Sequence, residues 1–149
     1  MSLREEKKAA TRRAISEATA ALLLEEGTAA ATVARVSERA GVSARTFHNY
    51  FADTDEALEE FLRKVFAAIA EQIAALPEEL SAAEAIEAIF IDALNEDGFE
   101  LYSASTLVLL GDRTRAESGT PPAEETMRDI AQPLVCLLYT SPSPRDQRG

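Results

Sequence analysis

The sequence predicts an all-α protein, an N-terminal three-helix unit that contains a helix-turn-helix, joined by a long helix to a further helical domain. Three observations predict it. Apolar residues recur at helical spacing along most of the chain, capping residues and glycines punctuate that pattern, and the composition is rich in alanine, the strongest intrinsic helix former.

The first helix, about residues 5 to 26, carries Ile15, Ala18, Leu22 and Leu23 on one side and ends at Gly27. Residues 32 to 51, TVARVSERAGVSARTFHNYF, then read as two short helices meeting at a glycine. Thr32 supplies a hydroxyl cap, and Val33, Val36 and Ala40 face one core. Gly41 stops that helix by taking the left-handed conformation, and Val42 tucks in behind it. Ser43 caps the next helix, from which Phe47 and Phe51, four apart, point back at the first. Its other face presents Ala44, Arg45, Thr46, His48 and Asn49, short or hydrogen-bonding side chains suited to base edges and phosphates in a major groove.

The spacing of Thr32, Val36, Ala40, Gly41, Val42, Ser43, Thr46, Phe47, Tyr50 and Phe51 resembles the DNA-binding domain of tetracycline-repressor-like (TetR family) regulators, over about the first third of the chain. The resemblance implies DNA contacts from Thr32, Ser43, Ala44, Arg45, Thr46, His48, Asn49 and Thr54. Two positions depart from the family pattern. Thr54 stands where the family often has a phosphate-touching lysine, and His48 where it most often has a tyrosine that reaches the backbone, although an imidazole also donates to phosphate.

Downstream, FADTDEALEEFLRKVFAAIAEQIAAL reads as the long connecting helix, with Leu58, Phe61, Leu62, Val65 and Ile69 as its apolar stripe and Pro77 as its stop. Ser81 and Glu84 form a capping box ahead of Ala85, Ile86, Ile89, Phe90 and Leu94, whose helix runs to a break over Asn95 to Gly98. A further helix is expected from Phe99 to Leu110, deeply buried over Leu107, Val108, Leu109 and Leu110, ending at Gly111 before a polar loop. Thr120 and Pro121 restart the chain, with Met127, Ile130 and Leu134 continuing the apolar spacing. In the resembled family such helices form an effector domain. Phe61, Phe66, Phe90, Leu94, Phe99, Tyr102, Leu107 and Met127 are then candidates for a mostly apolar pocket that takes a small apolar or amphipathic ligand, with plain core packing as the competing account of each.

The division expected is a helix-turn-helix DNA-binding domain over residues 1 to 52, a partial ligand-binding and dimerisation domain over 53 to 135, and a non-native or disordered tail over 136 to 149. The tail, CLLYTSPSPRDQRG, resembles translated read-through of a transposase sequencing adapter, so native sequence is expected to end near Val135 and the effector domain to be incomplete. Cys136, the sole cysteine, therefore receives no redox or catalytic role.

Residues 1 to 50 hold eight Lys or Arg against six Glu, about +2, while the remainder is about −13, for a net charge of −11. The local field where phosphates approach matters more than the total, and Lys7, Lys8, Arg12, Arg13, Arg35 and Arg45 are placed to supply it. An enzyme is disfavoured, because one histidine, one cysteine and no metal-ligand cluster or phosphate-binding glycine loop leave little to run chemistry. Glu78 with Glu79 and Asp92 with Glu96 read as solvated helix-surface carboxylates. No cofactor or metal is expected, and with no signal peptide or membrane-length apolar run the protein is expected in the cytoplasm.

The resemblance implies a homodimeric repressor on a pseudo-palindromic double-stranded DNA operator, released by its ligand. The alternative is a helical protein-interaction module that keeps the turn fold without specific DNA binding.

Overall fold

In the computed structural model, which describes residues 2–95, 101–118, 128 and 132, every regular element among those residues is helical. The helices are α1 (Leu3–Glu26), α2 (Val33–Ala40), α3 (Ala44–Tyr50), α4 (Thr54–Ala74), α5 (Ala82–Asn95) and α6 (Ala104–Ser118), with a single 3-10 turn at Thr28–Ala30. The chain divides into two compact units, residues 1–62 with 109–121 and residues 63–108 with 122–149, so α4 and α6 each contribute to both.

In the first unit, α1 starts earlier than its apolar pattern suggests because Ser2 and Glu5 form a capping box: the Glu5 amide donates to Ser2 Oγ (3.3 Å) and the Ser2 amide to the Glu5 carboxylate (3.4 Å). Ile15, Ala18 and Leu22 of α1, Val36 of α2, Phe47 of α3, Phe51 just past the end of α3, and Ala57 of α4 form one buried cluster, with Val33, Ala40, Val42 and Tyr50 packed on its margin.

The turn between α2 and α3 is a Schellman closure. Gly41 sits at φ 71°, ψ 32°, its amide donating to the Glu38 carbonyl (3.1 Å), while the Val42 amide donates to the Ser37 carbonyl (2.9 Å). A β-carbon at Gly41 would meet nothing within 4 Å, so the cost of Gly41→Ala is conformational only. It is expected to be about 1–2 kcal/mol. The same substitution at Gly111, inside α6 and equally unobstructed, is expected to stabilise by about 0.5–1 kcal/mol, since there alanine fits the backbone. Urea denaturation of the two variants checks the opposite signs.

In the second unit, Val65, Ile69 and Ile73 of α4 and Ala85 and Ile89 of α5 are buried. The capping box expected at α5 is present: the Ser81 amide donates to the Glu84 carboxylate (2.8 Å) and the Glu84 amide to Ser81 Oγ (3.3 Å).

Three expectations are corrected. Phe90 is 37% exposed and so lies off the buried line of α5, which follows Ala85 and Ile89 at four-residue spacing. The helix expected over Phe99 to Leu110 begins at Ala104 and continues through Gly111 to Ser118, because one glycine costs only about 1 kcal/mol and the polar run behind it contains good helix formers. Val108 and Leu109 are nearly half exposed, and only Leu110 of that apolar run is buried, since four consecutive helical residues span all faces. The expectations at Phe99, at Met127, Ile130 and Leu134, and over 136 to 149 lie outside the described residues.

Candidate nucleic-acid interface

The outer face of α3 is built from its cap outward. Ser43 Oγ accepts from the Thr46 amide (3.0 Å) and donates to Thr46 Oγ1 (3.0 Å), which leaves the Thr46 proton available to an external acceptor. Thr32 similarly caps α2, accepting from the Arg35 amide at 3.3 Å. Phe47 fixes the rotation of α3 from beneath: it is fully buried, tilted against Phe51 at 6.1 Å, and meets the His48 ring edge-on at 5.4 Å. Ala44, Arg45, His48 and Asn49 are consequently exposed, and Thr46 is half-buried beside them. Arg45 makes no ion pair among the described residues.

Thr54 is not on this face. It lines a cleft of about 250 Å³ with Thr19, Leu23, Thr28, Ala31, Asp55 and Leu58. Around it the first turn of α4 is acidic. Asp53 Oδ1 accepts from the Glu56 amide (2.9 Å), and the Glu56 carboxylate accepts from the Ala52 amide (2.7 Å), which satisfies the helix end while leaving negative charge there. A phosphate would be repelled where Asp53, Asp55 and Glu56 cluster.

The basic residues separate into two groups, which corrects the expectation that Arg12, Arg13 and Arg35 supply free positive charge. Arg35 forks onto Glu26 (2.5 and 2.9 Å) and Arg39 onto Glu25 (2.6 and 2.9 Å), tying the end of α1 to α2. Arg13 pairs with Glu17 one turn on, and Arg12 with Glu60 of α4. Arg4, Lys7, Lys8 and Arg45 have no such partner among the described residues. Arg4, Lys7 and Lys8 share one face of α1 with Thr11 and, with Leu3 and Tyr50, line an open groove of about 560 Å³. The sequence reading missed Arg4, Thr11 and Tyr50, although the 4, 7, 8, 11 spacing was there to signal a common face.

The Arg39 hydrogen bond holds the Glu25 carboxyl below the ordinary carboxylate range, the Arg35 hydrogen bond does the same for Glu26, and the Ser81 cap for Glu84. A carboxylate depressed on folding contributes stability that is complete above its unfolded value, near 4.5, and is lost as pH falls through the lower folded value. Stability is therefore expected to fall below about pH 4.5, less steeply in Glu25→Gln/Glu26→Gln, as thermal melts against pH measure. High salt weakens the same contribution, because these side chains are solvated.

Of the pocket candidates, Phe61 is fully buried and belongs to the first unit. Phe66, Tyr102 and Leu107 are partly buried and Phe90 exposed in the second, and the side chain of Leu94, with Phe99 and Met127, lies outside the described residues. Neither of the two cavities above is lined by any of the eight. Among the described residues there is no group of metal-ligating side chains, and no helix is long and apolar enough to cross a membrane.

A capped helix-turn-helix whose second helix shows a polar, cation-bearing face defines the class of helical DNA-binding regulators. Residues 15–61 match the family model for bacterial regulatory proteins of the tetR family. A solved structure of a proposed transcriptional regulator from Streptomyces coelicolor A3(2) is similar in fold, with a TM-score of 0.61 and 24% identity over 93% of this chain and 79% of that one. No curated protein matches the chain.

Proposed function

We propose that the protein is a sequence-specific transcriptional regulator that binds a pseudo-palindromic operator as a homodimer and acts as a repressor released by a small apolar or amphipathic ligand. The observation that carries the DNA-binding part is the exposed set Ala44, Arg45, His48 and Asn49, with half-buried Thr46 among them, on a helix anchored by buried Phe47. Arg45 is the candidate for reading a guanine, with Ala44 and Thr46 offering methyl contacts beside it. Thr46 and His48 donate to backbone phosphates, and the caps Thr32 and Ser43 set the register of the two helices.

Dimerisation and ligand release rest on the family resemblance. One helix supports the coupling: α4 starts beside the helix-turn-helix and runs on into the second unit. A ligand held there, among side chains such as Phe66, Tyr102 and Leu107, acts on DNA only to the extent that it prefers the α4 position that DNA disfavours.

The test is selection of bound sequences from a random duplex pool at stated salt, with Arg45→Ala alongside. The expected result is enrichment of an inverted repeat, with Arg45→Ala weakening binding about 10- to 100-fold and relaxing preference at one base pair of each half-site. No enrichment at low salt overturns the regulator reading in favour of a helical interaction module.

A further inference from the structure

The groove formed by α1 and the end of α3 carries positive charge that no ion pair among the described residues neutralises. Arg4, Lys7 and Lys8 lie on one face of α1, Thr11 continues that face, and Tyr50 closes the groove from α3. All three cations are exposed and without an ion-pair partner among the described residues, whereas Arg12, Arg13, Arg35 and Arg39 are each matched to a glutamate. Tyr50 packs its ring on the buried cluster, and its hydroxyl has no hydrogen-bond partner among the described residues.

Position makes this charge useful. Tyr50 is the last residue of the helix that begins at Ala44, so the groove stands about 8 Å along α3 from Arg45, at 1.5 Å per residue. A helix lying in a major groove about 12 Å wide has a phosphate backbone at its flank on that scale. The first turn of α4, the other flanking element, offers Asp53, Asp55 and Glu56 instead of a cation.

The geometry points to this groove as a phosphate cradle for the DNA backbone, with Lys7 and Lys8 as the principal cations, Arg4 at its outer end and the Tyr50 hydroxyl as a neutral donor. It rests on the regulator reading and adds to it a contact that carries affinity and no sequence information. The groove takes over the anchoring that the acidic start of α4 cannot give.

The test uses the full 149-residue chain and the duplex recovered by selection, with binding measured as a function of salt. Each cation–phosphate contact removed flattens the slope of log affinity against log salt by about 0.9, whereas loss of a neutral donor leaves it unchanged. Lys7→Gln/Lys8→Gln is expected to flatten it by about two, with equal loss on the selected and a scrambled duplex and unchanged base preference. Glutamine preserves helix propensity, and circular dichroism verifies that α1 is intact. Lys7→Arg/Lys8→Arg is expected to keep the slope, and Tyr50→Phe to lose a few-fold in affinity with the slope unchanged. An unchanged slope in the folded glutamine variant overturns the cradle while leaving the regulator reading in place. Failure of the unaltered chain to bind any duplex at low salt overturns both.

Discussion

Phe47→Ala is expected to destabilise the N-terminal unit by about 3–5 kcal/mol. The side chain is fully buried, lies between α1, α2 and Phe51, and leaves a cavity that the close-packed surroundings fill only in part. That loss is a large fraction of the 5–15 kcal/mol typical of a domain, so urea denaturation should show a much lower midpoint at similar slope. The same ring supports His48 edge-on and sets which residues of α3 face outward. DNA binding should therefore fall further than stability alone requires. Phe47→Leu, which keeps an apolar anchor, should lose roughly half as much. A loss below 1 kcal/mol in the alanine variant would mean that Phe47 does not hold α3 in place.

Arg12→Ala is the second large expectation, at about 2 kcal/mol. Arg12 Nε donates to Glu60 Oε1 at 2.5 Å, and its guanidinium lies 4.7 Å from the centre of the Phe51 ring. Glu60 Oε2 is buried and already lacks a hydrogen-bond partner among the described residues. Removing the cation strands a carboxylate whose side chain is 19% exposed, a defect that costs about 3–5 kcal/mol when the pair is fully dry. Arg12 itself is 42% exposed, so solvent screens part of that cost. Replacing both partners, as Arg12→Met/Glu60→Leu, should restore most of the stability, because the penalty comes from the unpaired charge. Thermal denaturation of the single and double variants settles this. A double variant as unstable as the single would assign the effect to lost packing on Phe51.

The two expectations differ in how far the sequence foretold them. Gly41 and the caps Thr32, Ser43 and Ser81 act on residues within five positions, and short-range chemistry is written in short-range sequence; Phe47 reaches α1 and α2, but its four-residue spacing from Phe51 marks the inward face of α3. Arg12 with Glu60 and Arg35 with Glu26 meet across elements, where no helical spacing rule applies, so cations counted as free turned out to be matched. The end of α6 lies beyond the expected stop because Gly111 and its polar neighbours are compatible with both a loop and a helix, and local propensity differs too little to decide. Apolar composition nominates Phe61 and Phe66 equally. Burial separates them, since only Phe61 is fully enclosed.

The glutamates that clasp Arg35 and Arg39 bear on how such a molecule moves through a chromosome. Attraction to arbitrary duplex grows with the number of phosphates a protein neutralises, and half of the eight cations in the first fifty residues are already answered from within. With an acidic remainder behind it, the helix-turn-helix should dwell only briefly on ordinary sequence. Few copies would then be held up by the genome at large, and occupancy of a matching site would follow the cell's supply of the protein more closely than its burden of competing DNA.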